Sequence, residues 1–303
     1  MKEAICAMAL DAGFSRVRIL APFILSENAG GGLQNCGSVK ERRGEVSPSL
    51  LVAALPYGNE DDSEGIPAGN CPAYIAPFAR RNYYKEAVKR LQKLSQTYRR
   101  LFGGIHSGGV NSSRRSSYRI FCNSPIPEKP LALACGLGRQ GRNSLVITPE
   151  AGSLVIIAAM TLPFPLESDA PESGRSVCIA CSFCAEACPT KAIRQEGGIE
   201  RNRCIQWYAS GNENSVPRHI AEKWGRRLYG CTVCQDVCPH NKKPIRGVKT
   251  SEGLLPAYMD ARKLLAMTDQ EIRGFFKGTA MGGSWLKPEH IRRSAGFALA
   301  SSE

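Results

Sequence analysis

The chain has 303 residues, 43% hydrophobic and 7% aromatic, which is more than one average domain and enough apolar material for a packed core. Its longest clean apolar run, Leu154 to Met160, is far too short to cross a bilayer, so a membrane-spanning helix is excluded. Lys and Arg number 40 against 27 Asp and Glu, and the resulting charge of +13 points to a polyanionic partner such as RNA, the alternative being a generally solvated surface.

The pattern predicts a helix over Met1 to Ala12, stopped by Gly13, and a strand over Val17 to Leu20. Met1-Lys2-Glu3 precedes only a brief apolar stretch ended by Asp11, so no secretory or twin-arginine leader is expected and a reducing cytoplasm is the expected compartment. Residues 30–44 are glycine-rich loop; Ser49 to Leu55 reads as a buried strand ending at Pro56; 59–72 reads as an acidic loop. Apolar residues from Tyr84 to Leu101 recur at helical spacing, giving a helix over Tyr83 to Phe102. After a Gly/Ser/Arg loop over 103–117, strands are expected at Tyr118 to Cys122, Leu145 to Thr148 and Ser153 to Met160, with a helix from Glu128 to Cys135. Alternating strands and helices imply an α/β domain over 1–168, and the polar stretch Glu167 to Arg175 reads as a hinge. Two further parts follow, 169–250 and a helical tail over 251–303, whose expected buried face is Leu264, Leu265, Ile272, Phe275 and Phe276.

Chemistry is concentrated in the middle part. Cys178-x2-Cys181-x2-Cys184-x3-Cys188-Pro189 is the spacing in which three thiolates wrap one 4Fe-4S cubane and the fourth reaches a second cluster. Cys231-x2-Cys234-x3-Cys238-Pro239 repeats it, with Cys204 displaced upstream. The crossover logic assigns Cys178, Cys181, Cys184 and Cys238 to one cluster, and Cys188, Cys204, Cys231 and Cys234 to the other. Structural zinc has no use for a third cysteine followed by x3-Cys-Pro, and a disulfide framework does not suit such tight spacing. Cys6, Cys36, Cys71, Cys122 and Cys135 are scattered. Basic residues Arg201, Arg203, Lys223, Arg226, Arg227, Lys242 and Lys243 gather around the second motif, where a nucleic-acid backbone could lie. Gly136-x-Gly138-x-x-Gly141 matches a dinucleotide fingerprint in letters only, because here a helix precedes and a strand follows; the glycines read as a loop that lets backbone approach another ligand.

Several of these segments together resemble the epoxyqueuosine reductases. They are Pro125-x-x-Glu128-Lys129-Pro130, Cys135-Gly136-Leu137-Gly138-x-x-Gly141-Arg142-Asn143, Glu150-Ala151-Gly152-Ser153, Arg203-Cys204-Ile205, the run from Leu228 to Asn241, and Ala54-Leu55-Pro56-Tyr57. The resemblance implies a mixed α+β/α/β fold: an N-terminal α/β cobalamin-binding domain, a ferredoxin-like double 4Fe-4S module and the short helical tail. It implies a cytoplasmic oxidoreductase that uses two 4Fe-4S clusters and base-off cobalamin to reduce epoxyqueuosine to queuosine in tRNA, fed by a low-potential donor such as ferredoxin or flavodoxin, with no membrane partner. Cobalamin contacts then fall to Gly136, Gly138, Arg139, Gly141, Arg142, Asn143 and Ser153, and no D-x-H-x-x-G pattern offers cobalt a histidine. The family's proton-donating aspartate falls on Cys122, so this thiol is the candidate catalytic residue, against the alternative that it only packs. The departure leaves two other readings open: a reductase of the same architecture acting on a different electrophile, and a two-cluster electron-transfer protein without corrinoid.

Overall fold

The computed structural model describes residues 1–20, 49–58, 71–103, 118–171, 177–243 and 247–302. The loop expected at 30–44, residues 59–70 and 104–117 of the next two expected loops, residues 172–175 of the expected hinge, Cys36, Arg42-Arg43 and Arg114-Arg115 lie outside the described residues. In chain order the elements used below are α1 (Lys2–Asp11), β1 (Arg16–Leu20), β2 (Ser49–Pro56), β3 (Pro72–Ile75), α2 (Pro77–Arg80), α3 (Tyr83–Phe102), β4 (Ile120–Phe121), α4 (Glu128–Ala134), β5 (Arg139–Gln140), β6 (Val146–Ile147) and β7 (Val155–Leu162). There follow α5 (Phe183–Ala187), α6 (Ile205–Ala209), α7 (Arg218–Ala221), β8 (Arg227–Tyr229), α8 (Val233–Asp236), β9 (Tyr258–Asp260), α9 (Ala261–Ala266), α10 (Asp269–Phe276) and α11 (Pro288–Ala300).

These elements form two compact units. The first is built from Met1–Pro56, Tyr84–Gln140 and Val146–Val177; the second from Tyr57–Tyr83, Gly141–Leu145 and Cys178–Glu303. The division falls close to the expected boundary after 168, but 57–83 and 141–145 fold with the cysteine region. The residues expected as a separate tail belong to that same unit.

The first unit centres on a sheet of order β1-β2-β7-β4. All its pairings are antiparallel, so the alternation of strands and helices does not produce the parallel sheet of an α/β fold, and this part is α+β. Every residue of β2 is buried, which explains its unbroken apolar run: it is central and covered on both faces. On one face Leu50, Val52 and Ala54 pack with Leu131, Ala132 and Cys135 from the end of α4. The long helix α3 buries Ala87, Leu91, Leu94 and Tyr98 at the predicted spacing, and the Tyr98 hydroxyl donates to the Ile5 carbonyl at 2.7 Å, tying α3 to α1.

In the second unit β3 pairs in parallel with β8 and antiparallel with β9. The sequence pattern gave no warning of β3, a four-residue strand opened by a proline after a Gly/Pro-rich loop. Ile205, Tyr208, Ala209, Ile220 and Trp224 form a core cluster, closed by Phe297 of α11 with ring centroids 5.2 Å from Trp224. Of the expected buried face of 251–303, Leu264, Ile272 and Phe276 are buried, whereas Leu265 is 37% and Phe275 48% exposed. These helices are short and amphipathic: Ile272 and Phe276 share a face at i, i+4, and Phe275 sits about 100° around from Phe276. The start of α10 is fixed by a capping box, with the Thr268 hydroxyl accepting from the Glu271 N–H and the Glu271 carboxylate accepting from the Thr268 N–H at 2.7 Å. Among the described residues no helix is long and apolar enough to cross a membrane.

Candidate metal centre

All eight motif cysteines lie in the second unit, and two short helices organise them. Cys184 sits on α5 and Cys234 on α8, and both belong to one apolar cluster with Ala185, Cys188, Ile193, Ile199 and Val237. The two helices repeat one local design: the Ser182 hydroxyl bonds to Glu186, and the Thr232 hydroxyl donates to Asp236 at 3.0 Å, each four residues on. Neither turn can continue. The residue before a proline is pushed out of the helical region, and both Cys188 (φ −62°, ψ 117°) and Cys238 (φ −74°, ψ 123°) are extended before Pro189 and Pro239. Cys204 is extended in the same way ahead of α6, with φ −84° and ψ 120°.

Several of the thiols influence one another's ionisation. Burial raises the pKa of Cys184, and the neighbouring sulfurs of Cys178, Cys181 and Cys238 raise it further. Cys238 is raised by burial and again by Cys178 and Cys181. On the other side, Cys231 is raised by burial and by Cys204 and Cys188, with Arg227 opposing. Burial pushes the Cys234 thiol up to about 12, with Cys231, Cys204 and Cys184 contributing. Crowded thiols resist ionisation because each thiolate repels the next; bound iron reverses that preference. Among the described residues no three His, Cys, Asp or Glu side chains converge as closely as a lone metal ion requires.

Backbone N–H groups are already aimed at sulfur. Ala192 donates to Cys188 Sγ at 3.3 Å, and Arg142 to Cys178 Sγ at 3.4 Å. Burial acts to raise the Cys188 thiol, yet the Ala192 N–H, the Thr190 hydroxyl and the N–H groups of Thr190 and Ile193 outweigh it and hold its pKa below the ordinary value. Around the second motif, Gln206 Oε1 accepts from the Cys231 N–H at 3.0 Å, and the buried Gln235 donates to the Tyr57 hydroxyl at 2.8 Å. Of the basic residues near this motif, Arg201, Lys223, Arg226, Lys242 and Lys243 are exposed and Arg203 and Arg227 half-buried.

The candidate cofactor residues divide between the units. Gly136, with φ +68°, and Gly138 lie in the first, beside the hairpin of β5 and β6. A Cβ on Gly138 would stand 2.5 Å from the Ile147 carbonyl oxygen and 2.8 Å from Val146, so this glycine is demanded by the hairpin's own packing; the sequence reading had given that demand to a ligand. Arg139 is half-buried on β5, and Ser153 is buried in the turn before β7. Gly141, Arg142 and Asn143 belong to the second unit. There the Arg142 guanidinium donates to the carbonyls of Cys181 at 2.8 Å and Cys178 at 3.2 Å.

Cys122 follows β4 and is half-buried, its thiol donating to the Ile157 carbonyl at 3.8 Å. Burial, with a smaller contribution from Glu128, pushes its pKa up to about 12. Sequence reasoning named Glu128 only as part of a motif. Burial raises its carboxyl above the usual carboxylate range although the N–H groups of Glu128, Ser124 and Asn123 and the Ser124 hydroxyl oppose this; the Ser124 bond is 3.1 Å. An Asn123 held at φ +51° turns the chain between the two groups. A glutamate at the first position of a helix, two residues after Ser-Pro-Ile, was the signal available.

Residues 177–241 match a family described as a 4Fe-4S double cluster binding domain, which contains all eight motif cysteines. The epoxyqueuosine reductase of Xanthomonas campestris is 30% identical over 213 residues, covering 68% of this chain and 56% of that protein. The epoxyqueuosine reductase of Escherichia coli is 34% identical over 231 residues, covering 75% of this chain and 56% of that protein. The chain thus spans about half the length of these curated relatives. A crystal structure of epoxyqueuosine reductase with an epoxyqueuosine-modified tRNA-Tyr stem loop superposes with a TM-score of 0.76 at 22% identity, over 99% of this chain and 81% of that one, so the fold is shared.

Proposed function

The chain belongs to the epoxyqueuosine reductase family, and from that premise we propose that it is an iron-sulfur and cobalamin-dependent oxidoreductase that reduces epoxyqueuosine to queuosine in tRNA. The observation that carries this reading is the match of residues 177–241, with all eight motif cysteines inside it, to a 4Fe-4S double cluster binding domain. Cys178, Cys181, Cys184 and Cys238 would hold one 4Fe-4S cluster, and Cys188, Cys204, Cys231 and Cys234 the other; the mutual influence of their sulfurs supports that division. Clusters so held deliver single electrons from a low-potential donor of the ferredoxin or flavodoxin kind.

Cobalamin, when bound, supplies a strongly reducing cobalt centre. The first unit, in the role of cobalamin and substrate domain, offers it a hairpin with no room for a side chain at Gly138, flanked by Gly136, the half-buried Arg139 and Ser153. Gly141, Arg142 and Asn143 fold with the cysteines, where the Arg142 N–H donates to Cys178 Sγ and its guanidinium to the Cys181 and Cys178 carbonyls. Removing the epoxide oxygen as water takes two electrons and two protons, so a proton source is required. A thiol near pKa 12 is a weak acid at neutral pH, while burial raises the half-buried carboxyl of Glu128 above the usual carboxylate range, and Glu128 is the better-matched donor of the two. The exposed cations of the second unit would meet the tRNA backbone. A reducing cytoplasm suits both cofactors.

The test is anaerobic. Protein reconstituted with iron, sulfide and cobalamin, given a chemical reductant and an epoxyqueuosine-modified stem loop, should convert the modified base to queuosine by mass spectrometry. Glu128→Gln should cost about 10²–10⁴-fold in turnover, the usual contribution of a positioned acid, and Cys122→Ala less than tenfold. The reverse ranking would give the proton to Cys122. No conversion by fully loaded protein would refute the substrate.

A further inference from the structure

Residues 141–145 leave the glycine-rich hairpin and fold with the cysteines. They form a tight turn, with the Gly141 carbonyl accepting from the Ser144 N–H at 2.9 Å and the Gly141 N–H donating to the Leu145 carbonyl at 2.8 Å. The buried Asn143 closes it, its Oδ1 accepting from the Leu145 N–H at 3.2 Å. Ser144 holds φ +60°, a left-handed conformation that a serine adopts only when its surroundings impose it. The Arg142 carbonyl accepts from the Gly198 N–H at 3.0 Å, which ties the turn to the loop after the first motif. The backbone that presents the Arg142 side chain is therefore fixed by its own bonds.

That side chain reaches the first cysteine motif. Its Nε donates to the Cys181 carbonyl at 2.8 Å and its Nη2 to the Cys178 carbonyl at 3.2 Å, while the Arg142 N–H donates to Cys178 Sγ at 3.4 Å. The turn from Cys178 to Cys181 has a long bond of its own, 3.4 Å from the Cys181 N–H to the Cys178 carbonyl, and Ile179 within it is 62% exposed. Packing therefore does little to hold it. A guanidinium presents its donors in a rigid planar fork and can bridge two carbonyls in one geometry, which the single ammonium of a lysine does not reproduce. The same group sets a positive charge beside two ligand residues.

We infer that Arg142 is a positioning residue of the cluster held by Cys178 and Cys181: its fork fixes the turn that carries these two ligands, and its charge raises the reduction potential of their cluster. This rests on the reading that the chain binds two clusters, and it adds how one of them is held and tuned. A nearby positive charge favours the reduced cluster because that form is the more negative, and charge is one of the determinants of cluster potential. Groups that orient metal ligands typically contribute about 10–100-fold to metal affinity.

Reconstituted full-length protein is titrated potentiometrically under electron paramagnetic resonance, and its iron release to a ferrous chelator is timed anaerobically, for wild type, Arg142→Met and Arg142→Lys. The signal that Cys181→Ala removes identifies the first cluster. Arg142→Met, which removes fork and charge together, should give that cluster a more negative midpoint, leave the other unmoved, and release about half of the iron about tenfold faster than wild type. Arg142→Lys should return the midpoint toward wild type without restoring the release rate. An unmoved first-cluster midpoint or wild-type release in Arg142→Met would overturn the inference, as would a midpoint equally low in both variants. Should Arg142→Met fail to load, release from Arg142→Lys decides: faster loss of about half of the iron supports the clamp, and the wild-type rate overturns it. Wild-type protein that binds four irons or none would instead defeat the two-cluster reading itself.

Discussion

Alkylation of Cys122 should be about a thousand times slower in the folded protein than in the unfolded chain. The thiolate is the nucleophile, and an ordinary thiol with pKa 9.0 is about 10% ionised at pH 8. Held near pKa 12, the folded Cys122 is about 10⁻⁴ ionised, and the ratio of the two fractions gives the factor of about 10³. The shift has a visible cause: the side chain is half-buried after β4, donates to the Ile157 carbonyl, and feels Glu128. The assay is a time course with iodoacetamide at pH 8, anaerobic, quenched and read on the Cys122 peptide by mass spectrometry, with urea-unfolded protein as reference. A linked effect has a definite sign. Because only the unfolded chain releases this proton between about pH 9 and about 12, the stability that the neutral thiol confers is complete below pH 9 and declines through that window. Folded-state alkylation within tenfold of the unfolded reference would refute the burial argument and restore Cys122 as a reactive acid.

Gly138→Val should destabilise the first unit by about 1–3 kcal/mol in urea denaturation with or without cobalamin, because the added atoms strike Ile147 and Val146; loss of corrinoid binding at unchanged stability would return that glycine to the ligand. Cys188→Ala should leave about four irons and remove the resonance signal of the cluster built mainly by the second motif, whereas damage confined to the first would reverse the assigned pairing. Affinity for tRNA should fall steeply with added salt as fewer counterions are released, and charge reversal of Lys242 and Lys243 should flatten that dependence; salt-independent binding would dismiss the cationic surface as the docking face.

The double-cluster domain was legible in the sequence because cubane chemistry writes itself as local spacing, and the proline after each run fixes the backbone that turns its last cysteine away. The long helix was legible for the same reason, its apolar repeat extending over Tyr83–Phe102. Less visible were features decided by distant partners. β3 is only four residues long and earns its place by pairing with strands more than 150 residues away, so no local pattern announced it. The antiparallel sheet escaped because alternation of element types does not specify strand direction. Leu265 and Phe275 were over-counted since a short helix buries one face and hydrophobicity alone does not say which. In the candidate site, the raised carboxyl of Glu128 follows from burial opposed by hydrogen bonds, and neither quantity has a one-letter signature.

Nucleoside analysis of tRNA from a strain lacking this chain's gene tests the central claim most directly. The account predicts that epoxyqueuosine accumulates, queuosine disappears, and the chain restores queuosine on re-expression, while the Cys181→Ala form does not. Unchanged queuosine in the deletion strain, with no second reductase to supply it, would contradict the assignment and leave a cluster-bearing reductase of some other electrophile.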